Sequence, residues 1–514
     1  MEKISRFIAS FLLLVFSLQT VDASENFGAE EFERTVGQAV SSLSDLNKEL
    51  PTPEPQKAEQ QPPEGNSMPL GSKWGYLVLA YHAVCAHLTE NGLLPHEGDI
   101  PGFDEISQRS LEAVSNSRYP ARRAGQSSLL EEPGFIAEME AITGSKFSAG
   151  TAEPLIDGPE AFVVKDRLMR EAKKSIYAVT YAVYDDVTGR ETTEILLAKK
   201  KEGVDVKLVV DEKMAHIFGG KLLKTMEKEG IEVMRYSNPS KAHNYLHVKM
   251  LIVDGASSVI GGMNYGDPYS RKGNGLKWRD TDILYTGAAV DDSLKRFADI
   301  WNTGRKDPAG KFTPVTGGNA KGGPALVSVL HQDPPKTDPP ILLSVIKAMY
   351  GATKKINIEN AYIVAIPAFT QAVADAAARG VEVNILTNSK ESIDSDGKSM
   401  AEAILGSAKI FAASGANVYL KQGQTLHSKF MTVDGVFSNV GSYNMHPRSE
   451  RYDMELNINV LDKTATAKLD AAFAKDIKDA KKIDAEDVSP GKPGWLSRIM
   501  EKYFYSQLSH NQKN

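Results

Sequence analysis

His247-Val248-Lys249 is answered in the second half of the chain by His427-Ser428-Lys429, and the match runs on past both triplets. Counted from each histidine, Lys stands at +2, Val at +6, Asp at +7 (Asp254, Asp434), Gly at +8, Gly at +14 and Asn at +17 (Asn264, Asn444). A lone His-x-Lys arises by chance; seven matched positions at one spacing do not. The echo extends upstream, where Lys173-Lys174-Ser175-Ile176 meets Thr353-Lys354-Lys355-Ile356 and Gly203-Val204-Asp205-Val206 meets Gly380-Val381-Glu382-Val383. A repeat of this length implies a duplicated structural unit, so the chain must fold as two like halves.

Each copy predicts the same local structure. Residues two apart on a strand share a side, so His247 projects with Lys249 and His427 with Lys429. An apolar run follows, then Asp254-Gly255 or Asp434-Gly435, a strong hairpin-turn signal. The returning strand brings Gly261-Gly262-Met263-Asn264, or Gly441-Ser442-Tyr443-Asn444, back beside the histidine. Small residues at Gly262 and Ser442 would let backbone N–H groups reach an anion, with the Asn264 and Asn444 amides as further donors.

Two such halves face to face hold two imidazoles and two ammonium groups. One imidazole can attack phosphorus, while the other protonates the alkoxide that leaves. Lys249, Lys429 and the two amides would stabilise charge on the nonbridging oxygens. No metal or other cofactor is called for. Each histidine needs its second ring nitrogen held, and the candidates are Asp280, Asp282 and Glu455. An alignment with about seven extra residues in the first copy, within 270–276, equates Asp282 with Glu455. Asp254 and Asp434 join the candidate catalytic set, with fixing the turn as their first role.

Strand and helix signals alternate from about Leu155, an α/β pattern: strands over 175–181, 204–210, 355–360 and 381–386, helices over 192–201 and 369–379. The expected organisation is a signal peptide at 1–23, a polar Pro-rich linker at 24–72 and an accessory region at 73–150. A first lobe at 151–313, a linker at 314–340, a second lobe at 341–485 and an amphipathic tail at 486–514 follow. Lys3 and Arg6 ahead of an apolar run that ends near Leu18 read as an export signal. Cys85 is the single cysteine, so no internal disulfide can form. A helix over 76–88 carrying His82, Cys85 and His87 reads as core rather than a metal site. By position alone, 73–150 could form a lid over the site. The formal charge of −6 shows no basic footprint for gripping nucleic acid.

These residues resemble the duplicated HxKx4D signature of the phospholipase D superfamily, over roughly Leu155 to Val460. The resemblance implies an α/β fold of two similar lobes, each a mixed β-sheet flanked by helices, in a pseudo-twofold pair with one shared active site. It implies His247 as nucleophile, His427 as general acid and Glu455 as an orienting acid. Gly261 to Asp267 followed by Trp278-Arg279-Asp280, together with Arg448-Ser449, is similar to cardiolipin synthase-like members. Val248 stands where bacterial cardiolipin synthases typically carry Arg, and one apolar run replaces their usual two membrane helices. Asp282 is acidic where those enzymes commonly are not.

The expectation is an exported phosphodiesterase or phosphatidyltransferase acting on phospholipids through a phosphohistidine, by hydrolysis or by transfer to an alcohol. An exported nuclease is the alternative, and a noncatalytic surface-binding protein a second. The expected partners are a phospholipid substrate and, transiently, a membrane. Nucleic acid is not expected, and both motifs in one chain suit a monomer.

Overall fold

The computed structural model describes residues 103–483 apart from 118, 238–244, 306–309, 315–321, 334–338 and 396. The expected signal, the Pro-rich linker, the helix over 76–88 and the C-terminal tail lie outside the described residues.

The first lobe contributes β1 (Ser148–Ile156), β2 (Ser175–Thr180), β3 (Asp205–Asp211), β4 (Glu232–Tyr236), β5 (Met250–Val253), β6 (Ser257–Gly261) and β7 (Thr281–Gly287). The second repeats the series as β8 (Ala325–Gln332), β9 (Lys355–Asn360), β10 (Glu382–Asn388), β11 (Asn417–Lys421), β12 (Lys429–Val433), β13 (Phe437–Gly441) and β14 (Glu455–Leu461), then adds β15 (Ala480–Ile483). All join in one sheet, ordered β15-β11-β10-β9-β12-β13-β14-β8-β1-β7-β6-β5-β2-β3-β4. Setting β15 aside, the order is a palindrome about β8 and β1, the expected pseudo-twofold. The flanking strands β2-β3-β4 and β9-β10-β11 run parallel and the rest antiparallel.

The central pair sets Ser148 against Val327 and Gly150 against Ala325. Gly150 is needed there, since a Cβ would stand 2.1 Å from the Thr286 carbonyl oxygen. This corrects the expected linker at 314–340, whose apolar centre Ala325–Gln332 is strand β8. Its Pro and Gly neighbours masked a strand that also pairs along its length with β14.

Helices cover both lobes: α1 (Phe103–Ser115), α2 (Pro133–Thr143), α3 (Asp157–Glu171), α4 (Val187–Lys201), α5 (Gly220–Lys228), α6 (Ala289–Gly304), α7 (Pro340–Gly351), α8 (Pro367–Ala378), α9 (Ala401–Ala413) and α10 (Lys463–Asp476). Their starts follow local chemistry. Asp186 and Asp462 cap α4 and α10 by accepting the N–H groups of Gly189 and Ala465, while Pro opens α7 and α8. None among the described residues is long and apolar enough to cross a membrane.

One apolar core runs through the seam, joining Val179, Ile260, Ile283 and Phe297 of the first lobe to Val329, Phe430, Val440 and Leu456 of the second. The lobes therefore form one continuous body. The described part of the accessory region packs elsewhere. Val114, Leu130, Phe135 and Met139 join the core of the second lobe beside Ile341, Val345 and Phe369. Those contacts place α1 and α2 on the outer helices α7 and α8, so they do not support the lid reading.

Candidate active site

The site forms where the two lobes exchange backbone. β5 and β6 turn through Asp254-Gly255 and β12 and β13 through Asp434-Gly435, with positive φ at all four residues. This is the mirror-image turn that an Asp-Gly pair favours. The Asp254 carboxylate accepts the N–H groups of Lys173, Lys174 and Ser175, and Asp434 those of Thr353, Lys354 and Lys355. Both side chains are spent on pinning the turn to the start of β2 or β9, at the strand end away from the histidines. Candidate catalytic standing therefore does not fit Asp254 or Asp434.

At the other end, the histidine of each copy sits on the extended segment leading into the strand, with Lys249 just before β5 and Lys429 the first residue of β12. Leu246 N–H is held by Asp211 and Leu426 N–H by Asn388, each at 2.9 Å. The next amide crosses the seam: His247 N–H donates to the Met454 carbonyl at 3.0 Å and His427 N–H to that of Arg279 at 2.7 Å. Each histidine is thereby placed one residue from an acid of the opposite lobe. His247 Nδ1 lies 3.1 Å from both Glu455 carboxylate oxygens, and His427 Nδ1 lies 2.7 Å from Asp280 Oδ2. A proton on Nδ1 donated to the acid leaves Nε2 with its lone pair, the tautomer a nucleophile or base requires.

Lys249 Nζ donates to its own histidine's carbonyl at 2.6 Å, and Lys429 Nζ does the same in its copy. Lys249 stands 5.1 Å over the Tyr181 ring and Lys429 5.9 Å over Tyr362. Burial, then the two ammonium groups, hold both histidines well below their ordinary pKa, so both are neutral near pH 7. Burial lowers Lys249 to about 7 and Lys429 to about 8, and raises Asp280 to about 6 and Glu455 to about 7. Such a set of displaced pKa values marks a functional site. Burial, despite the carboxylates around them, lowers the lysines, and a phosphodiester between the two would favour their charged form.

Three sequence-level assignments change. Asp282 is not a histidine partner. Its carboxylate pairs with buried Lys165 at 2.8 Å and accepts the Met263 N–H. The register explains this: Gly261 faces Asp282, whereas Gly441 faces Asn457, which accepts the Tyr443 N–H in the same way. Asp282 therefore matches Asn457, and Asp280 matches Glu455. Gly262 and Ser442 do not offer backbone donors, since their N–H groups bond to the carbonyls of Thr281 and Leu456. Both instead serve the acids. A Cβ on Gly262 would lie 2.1 Å from Asp280 Oδ1, and the Ser442 hydroxyl donates to Glu455 at 2.5 Å. Asn264 is committed to Thr180, Ala182 and Tyr269. Asn444, also buried, keeps an amide oxygen with no partner among the described residues, an acceptor rather than the donor that a phosphate needs.

The sequence reading quoted Ser449 and Trp278 but gave no site role to Ser449, whose hydroxyl donates to Glu455 at 2.7 Å, or to the aromatic wall of His427. Trp278 stacks on that ring at 5.3 Å and Tyr269 meets it edge-on at 5.2 Å. The usable signal was position, since Trp278 precedes Asp280 by two, as Asp453 precedes Glu455.

Two histidine–lysine pairs, each braced by an acid from the other half of one duplicated sheet, define a phospholipase D-type enzyme. The model for "Cardiolipin synthase, PLD-like domain" matches residues 166–291 and 345–477, and the chain belongs to that family. It is 29% identical to the cardiolipin synthase of Listeria welshimeri over 391 residues, 73% of this chain and 78% of the relative. It is 26% identical to cardiolipin synthase A of Pseudomonas syringae pv. syringae over 387 residues, 71% and 76% of the two chains. The fold is shared with phosphatidylserine synthase of Haemophilus influenzae, at TM-score 0.59 and 16% identity, covering 72% of this chain and 97% of that one.

Proposed function

We propose that the protein is a phosphatidyltransferase that moves a phosphatidyl group between alcohols at a membrane surface, through a phosphohistidine on His247. The crosswise bracing of the two histidines carries this reading. It holds Nδ1 of each ring and leaves Nε2 as the reacting nitrogen.

His247 Nε2 attacks phosphorus, and the bond to the head-group oxygen breaks. His427, which takes up a proton on Nε2 from solvent as the substrate's charge offsets the two lysines, gives that proton to the leaving oxygen. The phosphodiester's negative charge offsets Lys249 and Lys429, the groups that with burial hold His427 neutral. Asp280 then stabilises the imidazolium. In the second step neutral His427 takes the proton of an entering alcohol, whose oxygen attacks phosphorus and releases His247. Phosphatidylglycerol as both donor and acceptor gives cardiolipin and glycerol, and water as acceptor gives phosphatidic acid. Transfer is favoured by the enclosure of His427 and by the cardiolipin synthases among the relatives. Export through residues 1–23 is part of the proposal, checked by the N-terminus of the mature protein.

The test is purified protein with liposomes of phosphatidylglycerol, phosphatidylethanolamine and phosphatidylcholine, read by mass spectrometry, with plasmid DNA in parallel. Cardiolipin formed only with both histidines intact is the expected result. Phosphatidic acid alone would make the protein a hydrolase, and degraded DNA with untouched lipid would overturn the reading.

A further inference from the structure

The frame of the site is symmetric, but its surroundings are not. Asp211 and Asn388 hold equivalent amides, and each is followed two residues later by a lysine, Lys213 or Lys390. Lys390 is exposed. Lys213 is 7% exposed, and its Nζ is buried with no hydrogen-bond acceptor among the described residues. It rests 4.5 Å from the ring of Tyr245, and Arg448 of the second lobe reaches the same ring at 4.4 Å. Tyr245 packs on Tyr181, which packs on His247.

Three carboxylates stand near enough to act on Lys213, those of Asp211, Asp453 and Glu212, and none accepts a hydrogen bond from its Nζ. Asp211 takes the N–H groups of Leu246, Lys213 and Met214, and Asp453 takes the Tyr245 N–H and the Arg448 guanidinium. Two cations beside one ring, one of them buried without an acceptor, cost free energy that folding alone does not recover. A bound anion would recover it.

Resting on the transfer reading above, we infer that Lys213 and Arg448 form a second anion subsite, which takes the phosphate of the acceptor phospholipid. The enzyme would then select an alcohol that carries its own phosphodiester over water or a free polyol. Lys213 Nζ is shielded from solvent, so the acceptor must displace the residues that cover it.

The experiment gives the full-length protein a short-chain phosphatidylglycerol donor and two soluble acceptors. These are glycerol and glycerophosphoglycerol, the deacylated head of phosphatidylglycerol, and they share a primary hydroxyl but differ in the phosphodiester. The wild-type protein is expected to prefer glycerophosphoglycerol. Lys213→Met should cut that preference by about 10- to 100-fold, the range for losing a charge-assisted bond to phosphate, through a raised KM for that acceptor. Lys213→Arg should keep most of it, and a melting curve checks that each variant is folded. Equal loss with both acceptors, an unchanged preference in Lys213→Met, or no preference in the wild type would overturn the subsite while transfer stands. If the wild type gives only phosphatidic acid, or leaves lipid untouched, the transfer reading falls and the subsite with it.

Discussion

The two ends of the site use the same frame to hold differently built histidines. At one end His247 is braced by glutamate, Glu455, itself held by the hydroxyls of Ser442 and Ser449. At the other His427 is braced by the shorter Asp280, which fits only because Gly262 has no side chain. The His247 side chain is 13% exposed and has polar neighbours in Arg448 and Asp453. That of His427 is 6% exposed and roofed by Trp278 and Tyr269. Duplication gives two equal imidazoles, and the neighbours make them unequal. The more open ring suits attack on phosphorus, while the enclosed one suits a proton that must not leak to water.

The sharpest way to break this comparison is to remove each ring. His247→Ala and His427→Ala should each lower turnover of phosphatidylglycerol by on the order of 10⁴-fold. A phosphatidyl ester of p-nitrophenol, whose leaving group needs no proton, should separate them. It should restore a burst of p-nitrophenol in His427→Ala and none in His247→Ala. The opposite pattern would exchange the two roles.

Because the bracing is crosswise, the acids should sort with the ring they hold rather than with their own lobe. Glu455→Gln and Asp280→Asn should each cost about 10- to 100-fold, the usual range for a residue that orients a reacting group. The p-nitrophenyl ester should rescue Asp280→Asn and leave Glu455→Gln slow. Rescue of both, or of neither, would say the acids do not act through separate rings.

The pH profile is the next measure. As pH falls, Glu455 protonates through about 7 and Asp280 through about 6, and the histidines lose their acceptors. As pH rises, Lys249 loses its charge through about 7 and Lys429 through about 8, and the site loses its hold on phosphate. These groups titrate as a coupled set, so kcat/KM should show one narrow bell with its top near 7. A flat profile from pH 6 to 9 would mean that Glu455 stays ionised and that the lysines keep their charge without substrate. Asp280→Asn should trim the acid limb less than Glu455→Gln does, since Asp280 titrates lower.

The halves themselves were legible because strands of a duplicated unit keep their spacing, and Ser175 stands as far from Lys355 in the chain as His247 does from His427. The crosswise pairing was not. It depends on β8 and β1 meeting at the centre of one sheet, a contact between strands whose starts, Ser148 and Ala325, lie far apart in the chain. The choice of Asp282 failed for a local reason. Two acids flank Thr281, and only the register of β6 on β7 shows that Asp280 answers Glu455. Spacing hid the match, because Asp280 follows His247 at a longer interval than Glu455 follows His427. Lys213 was silent too, because a lysine after a strand looks solvated until packing buries it.

The smallest effect on chemistry should come from the aspartates of the repeated signature itself. Asp254 and Asp434 sit at φ 55° and 53°, and each anchors three consecutive backbone amides. Alanine loses the acceptors and tolerates left-handed backbone poorly, so each Asp→Ala should cost about 2 kcal/mol or more of stability. Asparagine tolerates that conformation and keeps one acceptor, so Asp→Asn should cost about half as much. Thermal melts of the four variants should pair by substitution and not by lobe, since the two turns are built alike. At a temperature where all are folded, kcat should stay within about threefold of the parent, as these carboxylates never meet the histidines. A hundredfold fall in kcat for either Asp→Asn variant, with its melt unchanged, would return the aspartate to the catalytic set and end the equivalence of the two turns.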